Sequence, residues 1–234
     1  MRRSTREPPV ATRRSDPSAG GVPAAAACGF RVHSGWAALV AVAGPPAAPA
    51  VLARRRIELV DEASPGGAQP FHAARLLPLD AAQLLVDRGL DSATRMARGA
   101  LAAAAGEIRR QGRHLLACGL IQSSARPLPA FPAVLASHAL VHTAEGELFR
   151  DALAAAAASQ GVAVLRVKER ELLDRCAARL GLAAGDLERH LAALGRTLGP
   201  PWRQDEKLAT VAAWLALAAL RQTARADAPI ADVV

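Results

Sequence analysis

The chain of 234 residues predicts an α/β fold: a five-stranded mixed sheet, made of a three-stranded antiparallel meander plus two further strands, with helices on both faces. Three observations predict it. Residues 27–60 hold three short runs of small apolar and β-branched side chains, separated by turn signals at His33-Ser34-Gly35 and Gly44-Pro45-Pro46. Two later apolar runs, 114–122 and 162–167, have strand length and are bounded by Gly and Ser. Helical patterning fills the intervals, giving the order β-β-β-α-β-α-β-α-α-α.

Residues 1–23 combine Arg, Ser, Pro and Gly without hydrophobic periodicity and read as a disordered leader. A single domain over 24–224 and a flexible tail over 225–234 follow. The first strand is 27–32, and Gly35 supplies the positive φ that a tight reversal demands. Residues 36–43 form a mostly apolar, central strand; the prolines at 45, 46 and 49 then stop the pairing, because proline lacks the ladder donor. Pairing resumes over 51–60, with Ile57 and Leu59 on one face and Arg54, Arg56 and Glu58 on the other. Asp80 is placed as the cap of a long helix reaching Arg110. The strand 114–122 ends at Ser123 and Ser124, and a helical stretch over 132–159 is expected to break at Thr143. After the strand 162–167, helices are expected over 169–180, 183–194 and 204–223.

Composition narrows the function classes. The net charge is +8, but the basic residues are almost all arginine and alanine dominates the apolar half. That bias reads as GC-rich coding and dilutes the charge as evidence for a nucleic-acid partner. Arg2, Arg3, Arg6, Arg13 and Arg14 lie in the leader, so the remainder is mildly basic, and attraction to phosphate depends on arginines clustering on one face. Cys28, Cys118 and Cys176 form no C-x-x-C pair, which argues against a zinc knuckle or a disulfide framework and fits a reduced, cytoplasmic compartment. The longest apolar run, 208–220, is shorter than the roughly 20 residues a bilayer span needs, so no membrane association is expected.

Two constellations could carry chemistry. In a continuous helix His138, His142 and Glu145 stand at i, i+4 and i+7, two imidazoles and a carboxylate on one face. That set could ligate a divalent metal such as Mg, Mn or Zn, or serve acid-base chemistry. The alternative is a kinked helix in which Thr143 caps a new turn and Glu145 satisfies its free N–H groups. Arg31, His33 and Ser34 lie at the first turn and His72 in a loop; strand-end turns and facing loops build clefts, so these four are candidate substrate-binding residues, the alternative being solvated turn residues. Glu169, just past the strand 162–167, either caps its helix or supplies a carboxylate beside Asp205.

With its strands in this order the chain resembles the ribonuclease H-like superfamily, and within it most nearly the bacterial Holliday-junction resolvase type. Gly29-Phe30-Arg31-Val32-His33-Ser34-Gly35-Trp36-Ala37 is similar to that group's opening Gly-hydrophobic-Asp-x-Gly segment and its Gly-aromatic-small strand start. Trp202-Arg203-Gln204-Asp205-Glu206-Lys207-Leu208-Ala209 resembles its final helix, where an acidic residue precedes an alanine-rich run. The resemblance implies carboxylates at the ends of the first and fourth strands and the start of the last helix, together holding two Mg²⁺ ions. In this sequence Arg31 stands at the first position, Gln122-Ser123-Ser124 at the second, and Asp205 and Glu206 match the third. It therefore implies a diverged metal-dependent nuclease or nucleic-acid-binding protein, with Asp205, Glu206 and Glu145 as catalytic candidates and His138, His142 and Glu145 around a divalent metal. The alternative is a non-catalytic module, oligomerising with itself or binding a protein through alanine-rich helical stretches such as 152–158 and 211–219.

Overall fold

His33 pairs directly with Trp36 across a two-residue reversal, Ser34-Gly35, in which Gly35 takes φ 81°. This hairpin seeds the sheet. In a computed structural model of the protein, which describes residues 24–45, 48–123, 127–183 and 185–226, strands β1 (Ala24–His33), β2 (Trp36–Ala43) and β3 (Ala50–Glu58) form the antiparallel meander. Strands β4 (Arg113–Gln122) and β5 (Ala163–Lys168) extend it on the other side, each parallel to its neighbour. The sheet order is β3-β2-β1-β4-β5. This is the five-stranded mixed sheet that the ribonuclease H-like resemblance implies, and it brings the C-terminal ends of β1, β4 and β5 to one edge.

Helices α1 (Pro70–Ala74), α2 (Leu79–Arg110), α3 (Phe131–Ala136) and α4 (His138–Ala158) share one core with the face of β1 that carries Cys28, Phe30 and Val32. Helices α5 (Glu169–Leu180), α6 (Asp186–Leu198) and α7 (Gln204–Ala226) cover the other face. Helix α7 lies directly on β1, β2 and β4. It comes that close because Gly29 and Gly119 are paired in register and leave a flat patch without side chains. A Cβ on Gly29 would sit 1.9 Å from the Ala209 carbonyl oxygen, and one on Gly119 2.2 Å from that of Ala212. The close approach sets where the first turn of α7, with Asp205, meets the end of β1.

The elements depart from expectation at several places. Pro78, with Asp80 inside the first turn, occupies the N-cap position of α2. A short helix, α1, stands where a loop was read, and α3 is the first part of the stretch read as helical over 132–159. The break in the 132–159 stretch falls at Ser137, whose hydroxyl accepts from the Leu140 N–H as the cap of α4. Thr143 lies inside α4, where its hydroxyl donates to the Ala139 carbonyl four residues back, so it caps no new turn. The helix expected over 183–194 runs instead from Asp186 to Leu198. Its end is tied to the sheet by Arg54, whose guanidinium donates to the carbonyls of Leu198, Gly199, Pro200 and Pro201. Ala152, Ala156, Ala157 and the alanines at 209, 212, 213 and 216 are buried within the chain's own core, which is where the alanine-rich faces are used. The leader over 1–23 lies outside the described residues, as does the tail apart from 225–226, which α7 includes. Among the described residues no helix is long and apolar enough to cross a membrane.

Candidate functional site

At the sheet edge where β1 and β5 end, alternation along β1 turns Arg31 and His33 toward α7, opposite to Phe30 and Val32. Arg31 Nη2 lies 3.1 Å from Glu169 Oε2 at the start of α5, and Arg31 Nε lies 3.9 Å from Asp205 Oδ1 at the start of α7. His33 Nε2 donates to the other oxygen of Asp205 at 3.1 Å. The His33 ring is held by stacking on Trp36, centroids 4.2 Å apart and planes 10° from parallel, while Arg56 lies over Trp36 with its guanidinium carbon 4.0 Å from the ring centroid. Two carboxylates from two helix N-termini are thus bracketed by a guanidinium and an imidazole, all four groups half-buried.

The second cluster lies on the sheet's other side. His138 and His142, at the start of α4, bring their Nε2 atoms within 3.0 Å, and His72 of α1 faces both, its ring centroid 5.5 Å and 4.7 Å from theirs. Ligand nitrogens of the three histidines all lie within 4.8 Å of one another. Behind His72, Glu145 Oε1 accepts from the His72 backbone N–H at 2.9 Å and from its Nδ1 at 3.1 Å. Glu145 is 1% exposed and its Oε2 has no hydrogen-bond partner. Burial raises the Glu145 carboxyl above its ordinary value, an effect only partly offset by the bonds from His72. The His142 imidazole beside it, some loss of hydration, His72 and the Arg75 guanidinium together lower the His138 pKa, favouring the neutral imidazole.

The predicted residues therefore divide into two sets. Arg31, His33 and Asp205 meet at the strand ends, joined by Glu169 in the role of a carboxylate beside Asp205. Glu206 turns away from them: its Oε2 accepts from the Arg203 N–H at 2.8 Å, the reach-back of a third-position acid to a helix start. Ser34 is exposed in the turn. His72, His138 and His142 meet on the α1/α4 side, with Glu145 behind His72 instead of beside His138 and His142 as a fellow ligand. Neither His138, His142 nor Glu145 is brought to Asp205, because α4 and α7 cover opposite faces of the sheet. The sequence carried no sign of Arg150, which is 4% exposed on α4 and donates to the Ile121 carbonyl at the end of β4. Arg150 also pairs with Glu147, which with Asp151 holds Arg166 of β5. Only an unusual burial of a charged residue marks it, and burial is not visible in sequence.

Two divalent ions do not fit the strand-end set. Arg31 puts a fixed positive charge where the first carboxylate is implied, the end of β4 offers Gln122 and Ser123, with Ser124 outside the described residues, and Glu206 serves its own helix. Glu169 and Asp205 remain, and Arg31 already stands between them as their counter-ion.

No family model matches the chain, and no curated protein matches it in sequence. Among solved structures it is similar to Thermus thermophilus RuvC in complex with a Holliday junction substrate, at 11% identity over 84% of this chain and 95% of that one, with a TM-score of 0.49. It is also similar to a further Thermus thermophilus RuvC structure, at 14% identity over 85% and 96% of the two chains, with a TM-score of 0.46.

Proposed function

We propose that this chain binds nucleic acid through its phosphate backbone and does not cleave it at a two-metal carboxylate centre. The observation that carries the reading is a contrast in how arginine is used. At the strand ends the guanidinium of Arg31 is engaged by Glu169 and Asp205. Along α2, Arg88, Arg95, Arg98, Arg109 and Arg110 are exposed and have no acidic partner at ion-pair distance among the described residues. At 100° per residue these five fall within an arc of about 120°, opposite Val86, Ala93, Ala97, Leu101 and Ala104, and extend over about 33 Å of helix. Asp91 is the acid that falls among them.

A row of guanidinium groups of that length, with no acidic partner among the described residues, matches a run of phosphates and releases their counterions on contact. It reads charge and shape and touches no base edge, so the binding expected is independent of sequence. The leader's five arginines add to the same attraction.

Fluorescence anisotropy with labelled single-stranded, duplex and four-way-junction DNA, over a series of salt concentrations, tests the proposal. The full chain should bind with a steep negative dependence of log K on log salt. The combined substitution Arg95→Gln, Arg98→Gln and Arg109→Gln should reduce that slope by about 3, near 0.9 for each phosphate that is no longer neutralised. Absence of binding at low salt, or an unchanged slope in the triple variant, overturns the reading. Mg²⁺-dependent cleavage that disappears in Asp205→Asn overturns its second half.

A further inference from the structure

We propose that His72, His138 and His142 form a mononuclear site for a late first-row divalent ion of the Zn²⁺ class, with buried Glu145 as the carboxylate that positions His72. The inference stands apart from nucleic-acid binding and uses the opposite side of the sheet from Asp205.

The His138–His142 pair is close to the geometry of a bound ion, and the His72 nitrogen, within 4.8 Å of theirs, closes on it by a shift of its ring. A cation about 2.05 Å from each of two nitrogens that are 3.0 Å apart subtends an angle of about 94° between them, and the roughly 3.3 Å separation of a tetrahedral pair needs only a small rotation of either ring. His138 and His142 are one helical turn apart on the exposed start of α4, so both rings can reach a common point without moving the backbone. The third nitrogen comes from α1, which is anchored beneath them by Phe71 and Ala74 in the core.

The second observation is Glu145. A carboxylate 1% exposed, accepting both the backbone N–H and Nδ1–H of one histidine, holds that imidazole in the tautomer whose Nε2 lone pair faces outward. Carboxylate–histidine–metal relays are built this way, the outer acid fixing the ring and raising its basicity. The unpartnered Oε2 of Glu145 leaves negative charge behind the cluster, which a divalent cation in front of His72 would balance. The charged group facing the site from the other side is Arg75, whose Nε donates to the Leu135 carbonyl.

Three neutral imidazoles select Zn²⁺, Co²⁺, Ni²⁺ or Cu²⁺ over Mg²⁺ and Ca²⁺, which prefer oxygen ligands. Three protein ligands leave the fourth position to solvent, a set found in catalytic and not in structural zinc sites. In the neutral pair one Nε2 carries the proton of the His138–His142 hydrogen bond, and that proton moves to the Nδ1 of the same ring before both Nε2 lone pairs face the ion.

Calorimetry on the full chain, pretreated with chelator, tests the site with Zn²⁺, Co²⁺ and Mg²⁺. Expected are one Zn²⁺ per chain, a tetrahedral Co²⁺ visible spectrum that changes when azide is added, and no Mg²⁺ binding at the same concentrations. His138→Ala, His142→Ala and His72→Ala should each weaken Zn²⁺ at least 100-fold, with circular dichroism showing a folded chain. Glu145→Gln should keep the one-to-one ratio and weaken binding by about 10- to 100-fold. Equal Zn²⁺ affinity in wild type and in a His138→Ala/His142→Ala double variant overturns the site, as does Mg²⁺ binding as tight as Zn²⁺. A Glu145→Gln change below threefold removes the positioning role.

Discussion

Substituting Gly29 with alanine tests the packing that puts Asp205 beside Arg31. The added Cβ would lie 1.9 Å from the Ala209 oxygen, 2.5 Å from the Ala213 nitrogen and 2.9 Å from the Ala209 carbonyl carbon, all backbone atoms of α7. None can rotate away as a side chain would. Reaching the 3.4 Å at which ordinary contact begins requires α7 to retreat from the sheet by about 1.5 Å. Such a shift loosens Ala209, Ala213, Ala216 and Leu217 against β1, β2 and β4, and overpacking of this kind costs about 3 kcal/mol. The stiffer unfolded chain offsets about 0.4–1 kcal/mol of that. The net loss of about 2–3 kcal/mol corresponds to a fall in Tm of about 4–12 °C for a domain of this size. Differential scanning calorimetry on Gly29→Ala, with Gly99→Ala as control, measures it. Gly99 is exposed on α2 with nothing within 4 Å of an added Cβ, so its replacement should be neutral or stabilising. A Gly29→Ala melting temperature within 1 °C of wild type would refute the argument that glycine seats α7.

Three further outcomes follow from particular contacts. Arg31→Asp places a third acid beside Glu169 and Asp205; its Tm should fall and then recover by about 2–4 °C in excess Mn²⁺, whereas the wild type should not respond, and an equal response in both would show that the guanidinium is not the resident counter-ion. Arg54→Ala removes the fork that gathers four carbonyls at residues 198–201 and should cost about 2 kcal/mol in urea unfolding, with Arg54→Lys restoring less than half; full restoration by lysine would mean that charge alone matters there. Burial pushes the thiols of Cys28 and Cys176 up to about 12 and raises that of Cys118, so native protein at pH 8 should leave a disulfide-exchange reagent unreacted until denaturant exposes the thiols; prompt reaction of one thiol would place it outside the core.

The histidine cluster shows how far sequence spacing reaches. His138 and His142 were legible as neighbours because one turn of helix makes them so. The same spacing nominated Glu145 as a third ligand, but the structure places it behind His72, 73 residues away, with the helix start at Ser137 setting which way α4 faces. The strand-end cluster repeats the pattern. Arg31 was legible as standing where an acid is implied; that it serves as the counter-ion of Glu169 and Asp205 was not, since His33 and Asp205 in that cluster are 172 residues apart.

By itself the sequence determined what depends on short-range physics. Two short apolar runs and the positive φ of Gly35 define the β1–β2 hairpin, β2 begins and ends where it was read, and α5 spans the expected residues. Tertiary structure alone decided which charged groups meet. The docking of α7 on the paired glycines brings Asp205 to Arg31 and His33, and the docking of α1 against α4 brings His72 to His138 and His142. Those distances depend on how closely two backbones can approach, a property of the packed pair that neither segment encodes alone.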